Sequence, residues 1–342
     1  MVNYMGIDHH KQYSHLTVMD EEGRVLKQGR VLNYRAEVEE FLRGTEEELR
    51  AVIEAGRSSY NMVDMLEELG VDVTIAHPKH IKLIAQAKIK TDKRDSRVLA
   101  DLLRSNMVPE VHKRSEETRK AQRVLRQRVF FVGTMTRVKN RVRALLAQQS
   151  EEVQKALGLE RELFGRKGLA TLRGLDLPAA DRALLEGLLA LHERLAELVK
   201  ASDKLVADLQ KQMKDAQLII TVPGFGPFFS VLVATEIEDI NRFEGPEKLH
   251  SYAGVIPSTH SSGERSYHGK IIKDGNRWLR WAAIEAVWPA IKSDNDLRAF
   301  YYKHAVKKNA NAAKVATARR LLTIIYKMLK ERRAYVSYPR TH

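Results

Sequence analysis

Cysteine is absent from the 342 residues, which excludes disulfides, cysteine-based zinc sites, iron–sulfur clusters and a thiol nucleophile. Also missing is an apolar run of membrane-spanning length. The chain passes from Met1 into a polar-interrupted strand pattern, with no basic stretch followed by an apolar one, so neither a membrane span nor secretion is expected. No internal repeat and no low-complexity tract is found. His9, His10, His77 and His80 lack the i, i+4 spacing of a helical zinc site. They are assigned to loops or ion pairs, without a metal.

What is present is positive charge on an otherwise ordinary globular composition. Hydrophobic residues make up 44% and charged residues 30%, which excludes a largely disordered chain. Lys and Arg number 58 against 44 Asp and Glu, a net charge of +14. Such a surplus fits a polyanionic partner, because each neutralised phosphate releases counterions; DNA, RNA and acidic membranes all qualify. The surplus is concentrated. Residues 101–150 hold 12 basic and 4 acidic side chains (+8) and residues 301–342 hold 11 and 1 (+10), whereas 151–250 is acidic at −4. One basic run alone reads as a solvated helix face. Two runs flanking an acidic middle read as two surfaces on one nucleic acid.

The hydrophobic pattern divides the chain into three: residues 1–150, 151–215 and 216–342. In the first, strands are predicted over Tyr4–Asp8, His15–Met19 and Arg24–Val31, with a turn at Asp20–Gly23. A helix over Ala36–Leu42, a strand over Ala51–Glu54, a helix over Tyr60–Leu69 and a strand over Val71–Ala76 follow. The order βββαβαβ describes an α/β domain with a mixed sheet, of which the ribonuclease H-like fold is one case. In the second part, Leu184, Leu188, Leu191, Leu195, Leu198, Ser202, Leu205 and Leu209 alternate spacings of four and three, the a/d pattern of a coiled coil. A loop over Gly165–Pro178 is expected to lead into it. The third part is read as mainly helical, with a turn at Pro223-Gly224-Phe225-Gly226 and a polar loop over Gly254–Asn276.

Four carboxylates stand out. Asp8 ends one strand and Glu54 another, and a carboxylate in a buried strand is costly unless paired. Asp92 and Asp95 lie three apart at a helix start, on one face. Each alone has an ordinary explanation as a cap or turn residue. Together, in this strand order and in a basic chain, they make a hard oxygen site for two magnesium ions, the arrangement that clamps attacking and leaving oxygens in phosphoryl transfer. Lys11, one turn from Asp8, is a candidate phosphate contact. Gly224 and Gly226 resemble the hairpin of helix-hairpin-helix modules, where backbone N–H groups approach a DNA phosphate. The segment His260-Ser261-Ser262-Gly263-Glu264-Arg265 precedes Lys270, Lys273, Arg277 and Arg280. Chemistry alone reads Ser-Ser-Gly as a flexible turn, with a serine nucleophile served by those cations as the sharper alternative.

These motifs together carry a resemblance. Gly6-Ile7-Asp8-x-x-Lys11, Ile53-Glu54-Ala55, Lys90-Thr91-Asp92-x-x-Asp95, Pro223-Gly224-x-Gly226, Ala253-Gly254-x-x-Pro257 and Ser262-Gly263, in that order, resemble the IS-one-ten family of insertion-sequence transposases. These are the DEDD, bridge-RNA-guided recombinases. The resemblance implies a RuvC-like domain over 1–150, a coiled coil over 151–215 and a transposase domain over 216–342. It implies an acidic tetrad of Asp8, Glu54, Asp92 and Asp95 holding magnesium, and Ser262 as a nucleophile that forms a phosphoserine–DNA link. Ser261, its neighbour, keeps that assignment open by one position. Gly56-Arg57 and Ser96 depart from the family pattern beside the tetrad. Beside these, the residues themselves suggest nucleic-acid contacts by Lys11, Gly224, Gly226, Arg265, Lys270, Lys273, Arg277 and Arg280. The partners implied are donor and target DNA, a structured guide RNA, and further copies in a homodimer or homotetramer, with no membrane. The implied place of action is the prokaryotic cytoplasm, at the nucleoid. Two rival readings use the same residues differently: a RuvC-like nuclease or junction resolvase with water as nucleophile, and a non-enzymatic DNA-binding protein.

Overall fold

The computed structural model describes residues 2–45, 48–56, 58–84, 91–158, 162–262, 265–271 and 274–336, and for 156, 258–262 and 265–270 the backbone only. The chain forms two compact units, residues 1–114 and 115–342.

The first unit is a mixed α/β sheet with helices. Its strands are β1 (Val2–His9), β2 (Tyr13–Met19), β3 (Val25–Leu32), β4 (Glu48–Glu54) and β5 (Asp72–Ala76), in the order β3-β2-β1-β4-β5. The first three form an antiparallel meander, and β4 and β5 run parallel to β1. The helices are α1 (Arg35–Leu42), α2 (Ser59–Glu68), α3 (Pro78–Ile84) and α4 (Asp92–Arg104). Every strand and helix expected up to Ala76 is found, within a few residues at the ends.

Strand alternation assigns each residue to a face. Met5, Ile7, Ala51 and Ile53 point into one core with Val38 of α1 and Met62, Val63 and Leu66 of α2. Val52 and Ala76 point the other way, against Ile81 of α3 and Leu99 and Leu102 of α4. Gly6 belongs to that second face, and a Cβ on it would lie 1.9 Å from the Ser96 carbonyl oxygen and 2.4 Å from the Ala100 nitrogen. Only glycine lets α4 approach β1 this closely.

The second unit is mostly helical: α5 (Glu116–Leu146), α6 (Glu151–Gly158), α7 (Arg166–Gly174), α8 (Ala179–Gln212), α9 (Lys214–Ile219), α10 (Pro227–Ile237), α11 (Pro246–Ala253), α12 (Arg277–Glu285), α13 (Val287–Ser293), α14 (Asn295–Lys307) and α15 (Ala310–Glu331). A two-stranded antiparallel hairpin, β6 (Pro257–Ser262) and β7 (Arg265–Ile271), stands between α11 and α12. Around buried α10, residues of α12, α13 and α15 such as Leu279, Val287, Leu322 and Ile325 close the core. Among the described residues no helix is long and apolar enough to cross a membrane.

Two expectations are corrected here. The loop expected over Gly165–Pro178 contains α7, and the loop expected over Gly254–Asn276 contains the β6–β7 hairpin. On α8 the buried stripe is Leu185, Leu189, His192, Leu195, Ser202 and Val206, which packs along α5 of the same chain. Leu184, Leu191 and Leu205 of the expected heptad are 59%, 46% and 54% exposed. Two overlapping leucine stripes share Leu195 and Ser202. Periodicity finds a stripe, and which one turns inward is decided by the helix it meets.

Candidate active site

Asp8 and Glu54 follow directly on Ile7 and Ile53, which face one another across the parallel pair β1–β4. Both carboxylates therefore stand at the carboxyl end of the sheet, where open α/β folds place their ligands. Two residues beyond Gly6 and Val52, both belong to the α4 face. The first turn of α4 carries Asp92 and Asp95, and its N-cap Thr91 accepts a hydrogen bond from the Arg94 nitrogen. The sheet and the helix thus bring the four acids to one end of one face.

The closest grouping includes a histidine. Nε2 of His10 lies 3.4 Å from Oδ2 of Asp8 and 3.3 Å from Oδ2 of Asp92. Donor atoms of Asp8, His10 and Asp92 all fall within 4.8 Å of one another. The Tyr13 hydroxyl donates to Oδ2 of Asp92 at 3.1 Å. Across the β1–β2 ladder Asp8 faces His15. Nδ1 of His15 shares a hydrogen bond of 3.0 Å with Oγ of Ser96, which is also 2.8 Å from Oγ1 of Thr17. Lys11 is exposed on the β1–β2 turn.

Electrostatics separate the two closest acids. Burial pushes the Asp8 carboxyl above its ordinary value, His10 opposes this, and Asp92 and Asp95 push the same way as burial. Burial also pushes Asp92 upward, but the Tyr13 hydrogen bond and His10 outweigh it and hold Asp92 low. The same bond raises Tyr13, because losing its proton beside a carboxylate is unfavourable. His15 is lowered by burial, against the pull of Asp92 and Asp8.

This donor set fits a divalent cation. Carboxylates gathered against mutual repulsion flank the buried Nε2 atom of His10 at 3.3 and 3.4 Å, and a cation relieves that repulsion.

In the second unit Ser262 ends β6 and pairs with Arg265 of β7. Lys270 lies on β7, while Gly263, Glu264 and Lys273 fall outside the described residues. The hairpin leads into a tightly held helix start. The Asn276 nitrogen donates to the Tyr252 carbonyl at 2.6 Å, and its Oδ1 caps α12 by accepting from the Trp278 and Leu279 nitrogens. Nδ2 of Asn276 donates to Oε2 of the buried Glu236 at 2.7 Å, and Arg126 of α5 pairs with the same carboxylate. Arg277 is exposed, and Arg280 donates to the Ala253 carbonyl at 3.1 Å. Gly224 has φ +94, and a Cβ there would lie 2.4 Å from the Ala286 carbonyl, so packing itself demands glycine. Gly226 is the N-cap of α10 and faces open space. The basic runs present exposed Arg123, Arg137, Arg141 and Arg143 on α5 and exposed Lys303, Arg320, Lys327 and Lys330 on α14 and α15.

Comparison with known proteins agrees with this layout. Residues 5–150 match the family model for the DEDD transposase of IS110 elements, and residues 216–302 match the one described as "Transposase IS116/IS110/IS902 family". The chain belongs to this transposase family. It is 24% identical to the "Transposase for insertion sequence element IS1111A" of Coxiella burnetii, over 98% of this chain and 91% of that protein. It is 26% identical to the "Probable family 20 transposase" of Pseudomonas aeruginosa, over 97% and 98%. This transposase is thus a DNA-processing enzyme. Its candidate site also contains Tyr13 and His15, which no motif marks, and His10, which histidine spacing assigns to a loop or ion pair without a metal and which the fold sets between Asp8 and Asp92. The signal for His10 is the spacing Asp8-x-His10 at a strand end, and Tyr13 and His15 follow once the β1–β2 register is known. Nothing local marks Asn276 or Glu236.

Proposed function

We propose that this transposase cleaves and rejoins donor and target DNA with a metal-holding acidic tetrad and a serine nucleophile, directed by a structured guide RNA. The observation that carries the reading is the grouping of Asp8 and Asp92 about His10, with Glu54 and Asp95 on the same face of the sheet. Magnesium held by Asp8, Glu54, Asp92 and Asp95 would supply Lewis-acid polarisation of the scissile phosphate. The chain's own residues do the rest. Asp92, held low by Tyr13 and His10 against burial, holds charge at the site, and burial makes Asp8 readier to bind a proton than an ordinary carboxyl. Oγ of Ser262 attacks phosphorus and passes its proton to a carboxylate of the tetrad, while the bond to the leaving deoxyribose oxygen breaks and that oxygen takes a proton from water. The phosphoserine link conserves the bond energy, and the reverse attack by a new strand's hydroxyl rejoins the DNA and frees the serine.

Lys11, Arg265, Lys270, Lys273, Arg277 and Arg280, with the backbone at Gly224 and Gly226, are assigned to phosphate contacts, and the basic runs to the longer track of DNA and RNA. A homodimer or homotetramer lets the tetrad of one protomer work with the serine of another. The test is cleavage of duplexes carrying the element's ends, with the co-purifying RNA and magnesium. Wild-type protein is expected to cut them and Asp8→Asn or Asp92→Asn to bind without cutting. Full cleavage by both variants would refute the tetrad.

A further inference from the structure

The position of His10 decides more than the tetrad does. A protonated Nε2 making an ordinary ion pair would sit at hydrogen-bond distance from one carboxylate, about 2.7–2.9 Å. Instead Nε2 lies 3.4 Å from Asp8 and 3.3 Å from Asp92, at ion-pair range of both and nearly equidistant, without a short contact directed at either one alone. The atom is buried although the side chain as a whole is 40% exposed, so Nε2 is the end turned inward. The backbone keeps it there: the His10 nitrogen donates to the Tyr13 carbonyl at 2.9 Å, and Nδ2 of Asn33 donates to the His10 carbonyl at 2.8 Å. The ring also packs on Tyr13 with centroids 4.7 Å apart, and Tyr13 fixes Asp92. An imidazole nitrogen facing two carboxylate oxygens, all within 4.8 Å, has the placement of a third donor to one shared cation.

We propose that His10 is a metal ligand in this transposase, and that the nitrogen donor makes the site favour manganese over magnesium. This rests on the metal-site reading above and goes beyond it. Magnesium is a hard ion that takes oxygen ligands and retains water, whereas imidazole suits the first-row transition ions. A site of carboxylates alone binds the two ions with similar chemistry. Adding His10 raises affinity for manganese and leaves magnesium little changed.

The experiment uses the full-length protein after chelator treatment. Binding of Mn2+ is followed by loss of the free-ion signal in electron paramagnetic resonance, and Mg2+ by competition against it. Pulsed measurements on the bound Mn2+ report a directly coordinated imidazole nitrogen. Wild-type protein is expected to show that nitrogen and to hold Mn2+ at least about tenfold tighter than Mg2+. His10→Ala should lose the nitrogen signal and about tenfold in Mn2+ affinity, with Mg2+ affinity changed by less than about threefold. His10→Gln, which keeps the side chain's bulk, should behave likewise and carries the comparison should the alanine variant not fold by circular dichroism. A nitrogen signal that survives both substitutions, its absence from wild type, or equal losses for both ions would overturn the assignment. Asp8→Asn and Asp92→Asn should abolish binding of both ions; if they do not, the tetrad reading itself fails, an outcome separate from failure at His10.

Discussion

The backbone of α4 at Ser96 comes so close to β1 that it leaves no room for a side chain at Gly6: the position a Cβ would take on Gly6 is 1.9 Å from the Ser96 carbonyl oxygen. That approach seats the helix start, and with it Asp92 and Asp95, over the strand end that carries Asp8. Gly6→Ala should therefore force α4 away, destabilise the protein by about 3 kcal/mol and weaken Mn2+ binding in parallel. Gly133→Ala, on α5 with nothing within 4 Å of a Cβ, should stabilise by about 0.5–1 kcal/mol. Urea unfolding of both variants checks the contrast, and a Gly6→Ala protein with unchanged stability would contradict the packing.

The Tyr13 hydroxyl holds Asp92 ionised. Without it one of the groups that oppose burial is lost and the Asp92 carboxyl rises, so protons compete with metal at higher pH. Metal affinity of Tyr13→Phe measured across pH should match wild type near neutrality and fall off earlier on the acid side. Coincident curves would remove Tyr13 from the site.

His192 lies in the buried stripe of α8, and neither ring nitrogen has a hydrogen-bond partner. Burial lowers its pKa below the ordinary 6.5, with Lys139 adding to the effect. The folded state thus binds fewer protons than the unfolded state. Stability is full above the unfolded value and is lost as pH falls through 6.5 toward the folded value. His192→Leu should raise stability by about 1–3 kcal/mol and flatten that acid-side loss. Thermal unfolding at a series of pH values gives both quantities.

The first unit is legible in the sequence because its signals are local. Alternation in β1, β2 and β4 and helix spacing in α2 place the strands, and acids at the ends of two strands and in one helix turn mark the carboxylates proposed as the tetrad. What stays hidden depends on residues distant in sequence. His10 looks like a loop histidine until β1 and α4 are brought together. The inward stripe of α8 depends on α5, some 60 residues earlier. The strands around Ser262 read as a loop because Ser, Gly and His dominate them and no apolar alternation marks the pairing.

The exposed arginines of α5 and the lysines of α15 predict steeply salt-dependent nucleic-acid binding. Changing Arg123, Arg137, Arg141 and Arg143 to glutamine should reduce the slope of log affinity against log salt by roughly one for each phosphate that the variant no longer neutralises. Fluorescence anisotropy with labelled DNA and with labelled structured RNA tells which polyanion each run serves. An unchanged slope for both would remove α5 from the interface.

A serine mechanism requires that DNA become covalently bonded to Ser262. Cleavage mixtures with labelled DNA, quenched in denaturant and run on a denaturing gel, report that bond directly, and peptide mapping of the shifted band locates the linkage. The expected result is an adduct at Ser262 that disappears in Ser262→Ala, persists in Ser261→Ala and requires Asp8 and Asp92. Cleavage without an adduct, or an adduct on another residue, would contradict this mechanism and leave a carboxylate site that activates water in its place.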